Sequence, residues 1–285
     1  MTAQVEPTDP TSDPAEPHVT SPSGAVVDPE PSPSIVVPRV AFVGDAMAAV
    51  VQAIDEVRAL IGQAPVIVGG LAVLSRLSTP YRATVDLDVV DRLLGEAPQL
   101  EVLRSAEGAK RVEPASVLLP TALGTVKVDV LEVRQVELDQ PSHDPGDRLH
   151  AASHAWANDT ATELVIEVTR TNGERVEVSA LVAEPGPIIA MKLQAVMNRS
   201  NDKQGTDLLD IIRLSFDEST RDVALSQIGD VDDAVAADIK QHVEHWFVTR
   251  RAQSLRWVHK AQGEDVVEDD LNLVAELLTD AATRP

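Results

Sequence analysis

The chain has 285 residues, 44% hydrophobic and 25% charged, which suits one large or two modest folded domains. Its net charge of −22 argues against a broad nucleic-acid surface, and the absence of cysteine excludes disulfides, thiolate metal sites and a cysteine nucleophile. No apolar run approaches the roughly 18 residues that span a bilayer, and the N-terminus has no basic region followed by an apolar one. The expectation is a cytoplasmic protein with neither membrane span nor signal peptide. With only 2% aromatic residues, the core must be built from Val, Leu, Ile and Ala.

Residues 1–38 contain six acids, many Pro and Ser, and no Lys or Arg, and this composition predicts a disordered acidic tail. Removing those six acids from −22 leaves a body at −16, still acidic. Folding is expected from near Val40. "GDAMAAVVQAIDEVRALIG" carries a helical stripe of Val50, Val51, Ile54, Val57 and Leu60, with Asp45 as the expected N-cap. "PVIVGG" reads as a short buried strand ending in a turn, and "LAVLSRL" as a short helix. "ATVDLDVV" (83–90) alternates strictly, with Val85, Leu87 and Val89 on one face and Thr84, Asp86 and Asp88 on the other. Strands are expected at 116–119 and 125–133. A hairpin is expected over 163–183, around Asn172-Gly173.

Beyond Pro187 the pattern turns helical, at 188–199, 207–215, 220–228, 232–260 and 264–279. The fold class is therefore mixed α+β: a sheet with flanking helices over 39–185, then an all-helical half over 186–285.

Asp86 and Asp88 lie on one face of one strand, a few ångströms apart. Adjacent carboxylates repel unless something positive lies between them. Mg²⁺, which takes one or two carboxylates plus phosphate oxygens, suits such a pair, with Mn²⁺ as a second choice. A strand that simply faces solvent explains the same spacing. Gly69-Gly70 precedes a short helix, where backbone N–H groups can meet phosphates, or it is merely a turn. Asp129 in "TVKVDVLEV" would add a third carboxylate if its strand neighbours the first. Lys192 shares a helical face with Ile188, Ala195 and Arg199, as a ligand to phosphate or as a snorkelling side chain at the core's edge. Asp207 and Asp210 also share a face, and read as site residues, as exposed acids, or in the case of Asp207 as an N-cap.

His143, His150 and His154 lie in or near an expected loop, "QPSHDPGDRLHAASHAW" (140–156). His150 and His154, spaced i, i+4, have no evident third ligand, so surface histidines are expected rather than zinc. "KQHVEHWFVTRRAQSLRWVHK" carries five Lys/Arg (Lys240, Arg250, Arg251, Arg256 and Lys260) against one Glu. Trp246, Arg250 and Trp257 would share one helical face there. That face is the candidate RNA surface, unless the Trp rings pack on a neighbouring helix.

"VGGLAVLSRLSTPYRATVDLDVV" (68–90) resembles the signature of the nucleotidyltransferase superfamily: hydrophobic-Gly-Gly/Ser, a short helix, then an Asp-x-Asp strand. Its "R-x-T-x-D-L-D" form, with Arg82, Thr84, Asp86 and Asp88, is similar to the AbiEii group. Those are toxins of type IV-like toxin–antitoxin and abortive-infection systems, the mycobacterial MenT toxins among them. "IIAMKLQAVMNRSNDKQGTDLLDIIRL" (188–214) resembles the helical Lys motif and the later acid motif of the same group. The two blocks cover roughly residues 66–214.

The resemblance implies a nucleotidyltransferase-like domain over 39–185 and roles by position. Asp86 and Asp88 would hold Mg²⁺, and Thr84 would supply a small hydroxyl before them. Gly69, Gly70 and Lys192 would contact the phosphates of an NTP, and Asp207 or Asp210 would be the later essential acid. Position 70, Ser in some relatives, is Gly here, and Thr206 stands where a Lys would precede Asp207, with Lys203 one turn earlier. The implied activity is transfer of a nucleoside monophosphate from NTP to an acceptor hydroxyl. The favoured acceptor is the 3′ end of tRNA, with growth inhibition as the result and a separate antitoxin as partner. A small-molecule or protein acceptor, and a catalytically silent module of the same fold, are the alternatives.

Overall fold

The computed structural model describes residues 37–199 and 201–284, apart from the side chains of Asn201 and Asp202. The expected acidic tail therefore lies outside the described residues, save Val37 and Pro38. In chain order the N-terminal elements are β1 (Arg39–Val43), α1 (Asp45–Ile61), β2 (Val66–Val68), α2 (Gly69–Arg76), β3 (Asp86–Asp91), α3 (Gln99–Arg104), β4 (Lys110–Arg111), β5 (Ser116–Thr121) and β6 (Gly124–Glu132). They continue with α4 (Gln135–Asp139), α5 (Pro145–Asp159), β7 (Thr162–Thr169) and β8 (Arg175–Val182). The remainder is helical: α6 (Pro185–Asn198), α7 (Asn201–Phe216), α8 (Arg221–Gly229), α9 (Asp233–Val243), a π-helical segment at Glu244–Thr249, α10 (Arg251–Lys260) and α11 (Glu268–Ala281).

The eight strands form one mixed sheet in the order β1-β7-β8-β2-β3-β6-β5-β4. The β7–β8 hairpin turns at Asn172-Gly173 as expected. Gly173 supplies a φ of +85°, and the Asn172 side chain accepts the Glu174 N–H at 3.0 Å. In β3 the alternation separates two environments. Leu87 and Val89 are fully buried on the face covered by α1, whose Val50, Val51, Ile54 and Val57 form the facing stripe. Asp86 and Asp88 are half-buried on the other face. The strand begins only at Asp86, so Thr84 and an exposed Val85 belong to the approach to β3 rather than to the sheet.

Other expectations need correction. Gly44, at φ +109°, is the N-cap of α1, and Asp45 instead accepts a 3.1 Å bond from Arg170 and one from the Thr171 hydroxyl. Residues 145–159, expected as loop, form α5, capped by the Asp144 side chain on the Gly146 and Asp147 N–H groups. The single helix expected over 232–260 is interrupted by the π-helical segment. That segment shifts the helical phase, and the expected Trp246–Arg250–Trp257 face does not form. Trp246 is buried in the core and donates to the Leu193 carbonyl at 3.3 Å, with the Trp257 ring 6.0 Å away.

The described residues 37–284 form one compact unit, and one apolar cluster runs through both halves, from Val89 and Ile166 to Ile211, Phe247 and Leu271. The change near residue 186 is thus from mixed to helical structure around a shared core. α7 approaches α10 so closely that a Cβ added at Gly205 would lie 2.2 Å from the Trp257 carbonyl oxygen. Because that obstacle is backbone, Gly205→Ala is expected to lower stability by about 1–3 kcal/mol in urea denaturation; an unchanged midpoint would contradict this packing.

Candidate active site

The antiparallel register of β2 and β3 places Val68 opposite Asp88, so the chain turns into α2 directly beside that carboxylate. Gly69 has a φ of +63°, and a Cβ there would meet Asp88 Oδ2 at 2.0 Å. Position 69 thus admits only glycine, for both backbone conformation and space. At Gly70 a Cβ would stand 3.1 Å from Thr84 Oγ1 and 3.3 Å from Arg82 Nη1. Those two side chains take the space that a serine at this position would need.

β6 runs parallel to β3 with Asp129 opposite Asp88 and Lys127 opposite Asp86. Asp129 is already engaged, by Lys127 at 3.1 Å and by the Ser116 hydroxyl, while Lys127 also reaches Glu113 at 2.9 Å. Asp86, Asp88 and Asp129 thus line one cleft, with Asp129 already paired. Among the described residues no group of three or more His, Asp or Glu side chains is placed to hold a metal ion. Asp129 still acts at a distance: burial first, then its negative charge, pushes the Asp88 pKa above the usual carboxylate range.

Lys192 lies on α6, buried, with Nζ 2.6 Å from Asp207 and 2.7 Å from Asp210 of α7. It is neither snorkelling nor solvent-facing, and Asp207 and Asp210 are not exposed helix acids. Burial alone would favour a neutral amine. The two carboxylates outweigh it and hold the Lys192 pKa above its ordinary value. Asp210 is also bonded by Arg82 at 2.9 Å and by the Tyr81 hydroxyl, which fastens the approach to β3 onto the helical half. Asp207 Oδ2 lies 3.1 Å from Arg199 Nε, yet makes no hydrogen bond. Three cations, Lys192, Arg82 and Arg199, thus surround two buried carboxylates.

These groups share a cleft of about 190 Å³, lined by Gly69, Gly70, Thr84, Asp86, Asp88 and Lys192, with Arg199, Lys203 and Thr206 also on its wall. A second chamber of about 190 Å³ shares Gly69, Asp88, Lys192 and Arg199 with it. Its wall includes Ile188, Lys192 and Ala195 of α6 and Arg199 just beyond its end, together with His150 and His154. Contrary to expectation His154 is not a surface residue; it is 4% exposed. The roles of Tyr81, Arg82 and Gln194 went unread from sequence, although Arg82 stands within the "YRATVDLD" stretch.

The basic segment is less uniform than its composition suggests. Arg250, Arg256 and Lys260 are exposed and Lys240 is half-buried, but Arg251 is paired with Glu268 at 2.7 Å. Among the described residues no helix is long and apolar enough to cross a membrane. Comparison of the chain with protein-family models, with curated proteins and with solved structures finds no match.

Two outcomes follow from these charges. Lys192→Met leaves two buried carboxylates short of a partner and is expected to cost about 3–5 kcal/mol in chemical denaturation; a loss below about 1 kcal/mol would contradict the buried ion network. Burial, aided by His150, pushes the His154 pKa from 6.5 down to about 3. The unfolded chain therefore takes up a proton that the folded chain refuses. The resulting stability is full above pH 6.5 and is lost as pH falls towards 3, by on the order of 5 kcal/mol. In His154→Gln the pH dependence of stability between 6.5 and 4.5 should flatten, and an unchanged slope would refute this assignment.

Proposed function

We propose that the chain is a metal-dependent nucleotidyltransferase that moves a nucleoside monophosphate from an NTP to an acceptor hydroxyl. The observation that carries this reading is one cleft bearing Asp86 and Asp88, the Gly69-Gly70 turn at the start of α2, and the Lys192 network. Two carboxylates fit a divalent ion that takes its remaining ligands from phosphate and water, and Asp88, destabilised as an anion by burial and by Asp129, gains from a cation beside it. Bound there, Mg²⁺ or Mn²⁺ would neutralise phosphate charge and align the triphosphate.

The chain's own residues would do the rest. Backbone N–H groups after Gly69 would hold phosphate oxygens, as helix N-termini do. Arg199 and Lys203 on the cleft wall, with Lys192 behind them, would balance charge on the departing pyrophosphate. The acceptor oxygen would bond to the α-phosphorus as the bond to the bridging oxygen breaks, and the acceptor's proton would leave to solvent. Positioning and electrostatics would supply most of the rate.

The favoured acceptor is the 3′ end of tRNA, with growth inhibition as the consequence and an antitoxin as the controlling partner. This follows the resemblance to the AbiEii group. A small-molecule hydroxyl is the second reading, favoured by the burial of Trp246, which withdraws one expected base-stacking surface, and by the acidic body. Incubation with each α-labelled NTP, Mg²⁺ and total RNA separates them, since label on RNA supports the first and its absence favours the second. Asp86→Ala is expected to abolish transfer while leaving the circular dichroism spectrum and melting temperature unchanged. Full activity in that well-folded variant would refute the proposal.

A further inference from the structure

We infer that the chamber beside the carboxylate cleft receives the base of the bound nucleotide, and that Gln194 and His154 read its hydrogen-bonding edge. This rests on the nucleotidyltransferase reading. The two spaces share Gly69, Asp88, Lys192 and Arg199, so they adjoin, and a ligand with phosphates in one has its base next to the other. At about 190 Å³ the chamber is smaller than the roughly 300–1,000 Å³ of drug-sized pockets, a fit for a single heterocycle.

Polarity changes at the junction. One pleat beyond Asp88 and Asp129 the same sheet face carries Val90 opposite Leu131, and Ile188, Met191 and Ala195 of α6 complete an apolar wall. That apolar wall suits the face of an aromatic ring. Beside the Asp88, Lys192 and Arg199 junction the polar side chains are His150, Asn198 and two that are more than nine-tenths buried, His154 at 4% and Gln194 at 5% exposure.

Their hydrogen-bonding states follow from their partners. His154 Nδ1 lies 2.6 Å from the His150 carbonyl, which can only accept, so Nδ1 carries the proton and Nε2 presents a lone pair. The low pKa of His154 keeps that ring neutral. Gln194 Oε1 faces His150 Nδ1 at 3.4 Å, leaving the amide N–H groups to donate. Neither His154 Nε2 nor Gln194 Nε2 has a hydrogen bond among the described residues. An acceptor and a donor side by side complement a heterocycle edge that offers a donor and an acceptor, and the half-buried His150 ring, 4.1 Å from that of His154, adds a flat wall.

The test is equilibrium binding, without any acceptor, of Mg²⁺ complexes of ATP, CTP, GTP, UTP and tripolyphosphate to the full chain. The variants are Gln194→Leu and Ala195→Leu, each checked for native circular dichroism. Wild type should bind one NTP about tenfold more tightly than the weakest, Gln194→Leu should compress that spread to about threefold, and Ala195→Leu should weaken every NTP about tenfold. Tripolyphosphate affinity should change by less than about twofold in both. If NTPs bind but neither variant alters their affinity or rank, the chamber does not hold the base, while the proposed activity stands. If the variants change only the transfer rate to acceptor, the chamber belongs to the acceptor and the inference fails. If wild type binds no NTP at all, both inference and proposed activity fail.

Discussion

A charged lysine in a core is tolerable only with carboxylates against it, and the Lys192 contacts with Asp207 and Asp210 meet that condition while tying the molecule together. Lys192 belongs to α6 and its partners to α7, so the pair sets how those helices pack. Asp210 then reaches back through Arg82 and Tyr81 to the segment leading into β3. That chain of contacts locks the strand bearing Asp86 and Asp88 against the helix bearing Lys192. The cleft between them is a consequence of this network more than of any loop.

The same network bears on the acidity of the protein. A net charge of −22 repels polyanions at long range, yet in the cleft Arg82, Lys192, Arg199 and Lys203 balance Asp86, Asp88, Asp129 and Asp207. Local potential in a partly buried cleft is set by such neighbours and is less screened than the surface.

Much of the fold was legible because period-two and helical patterns are enforced by burial. Leu87 and Val89 alternate with Asp86 and Asp88 because one sheet face is covered by α1, and the Asn172-Gly173 turn needs a residue that accepts positive φ. The failures have equally physical origins. α5 was read as loop because Pro145 and Gly146 mask its first turn, although Pro at a helix start behind a capping Asp144 is itself a start signal. Trp246 was misplaced because a helical wheel assumes constant phase, and the π-helical segment shifts it. Asp129 joins Asp86 and Asp88 on the cleft wall because β6 neighbours β3, and Lys127, two residues before it on the same strand face, pairs with it. The buried state of Lys192 and His154 depends on contacts between distant elements, which no local pattern records.

The account rests on a cleft whose carboxylates, Asp86 and Asp88, accept a nucleotide only together with a divalent cation. Calorimetric titration of an NTP into the protein, with Mg²⁺ and then with excess chelator, addresses this without knowledge of the acceptor. Saturable binding that disappears on chelation is the expected result. Nucleotide binding of equal strength in both conditions, or none in either, would contradict it.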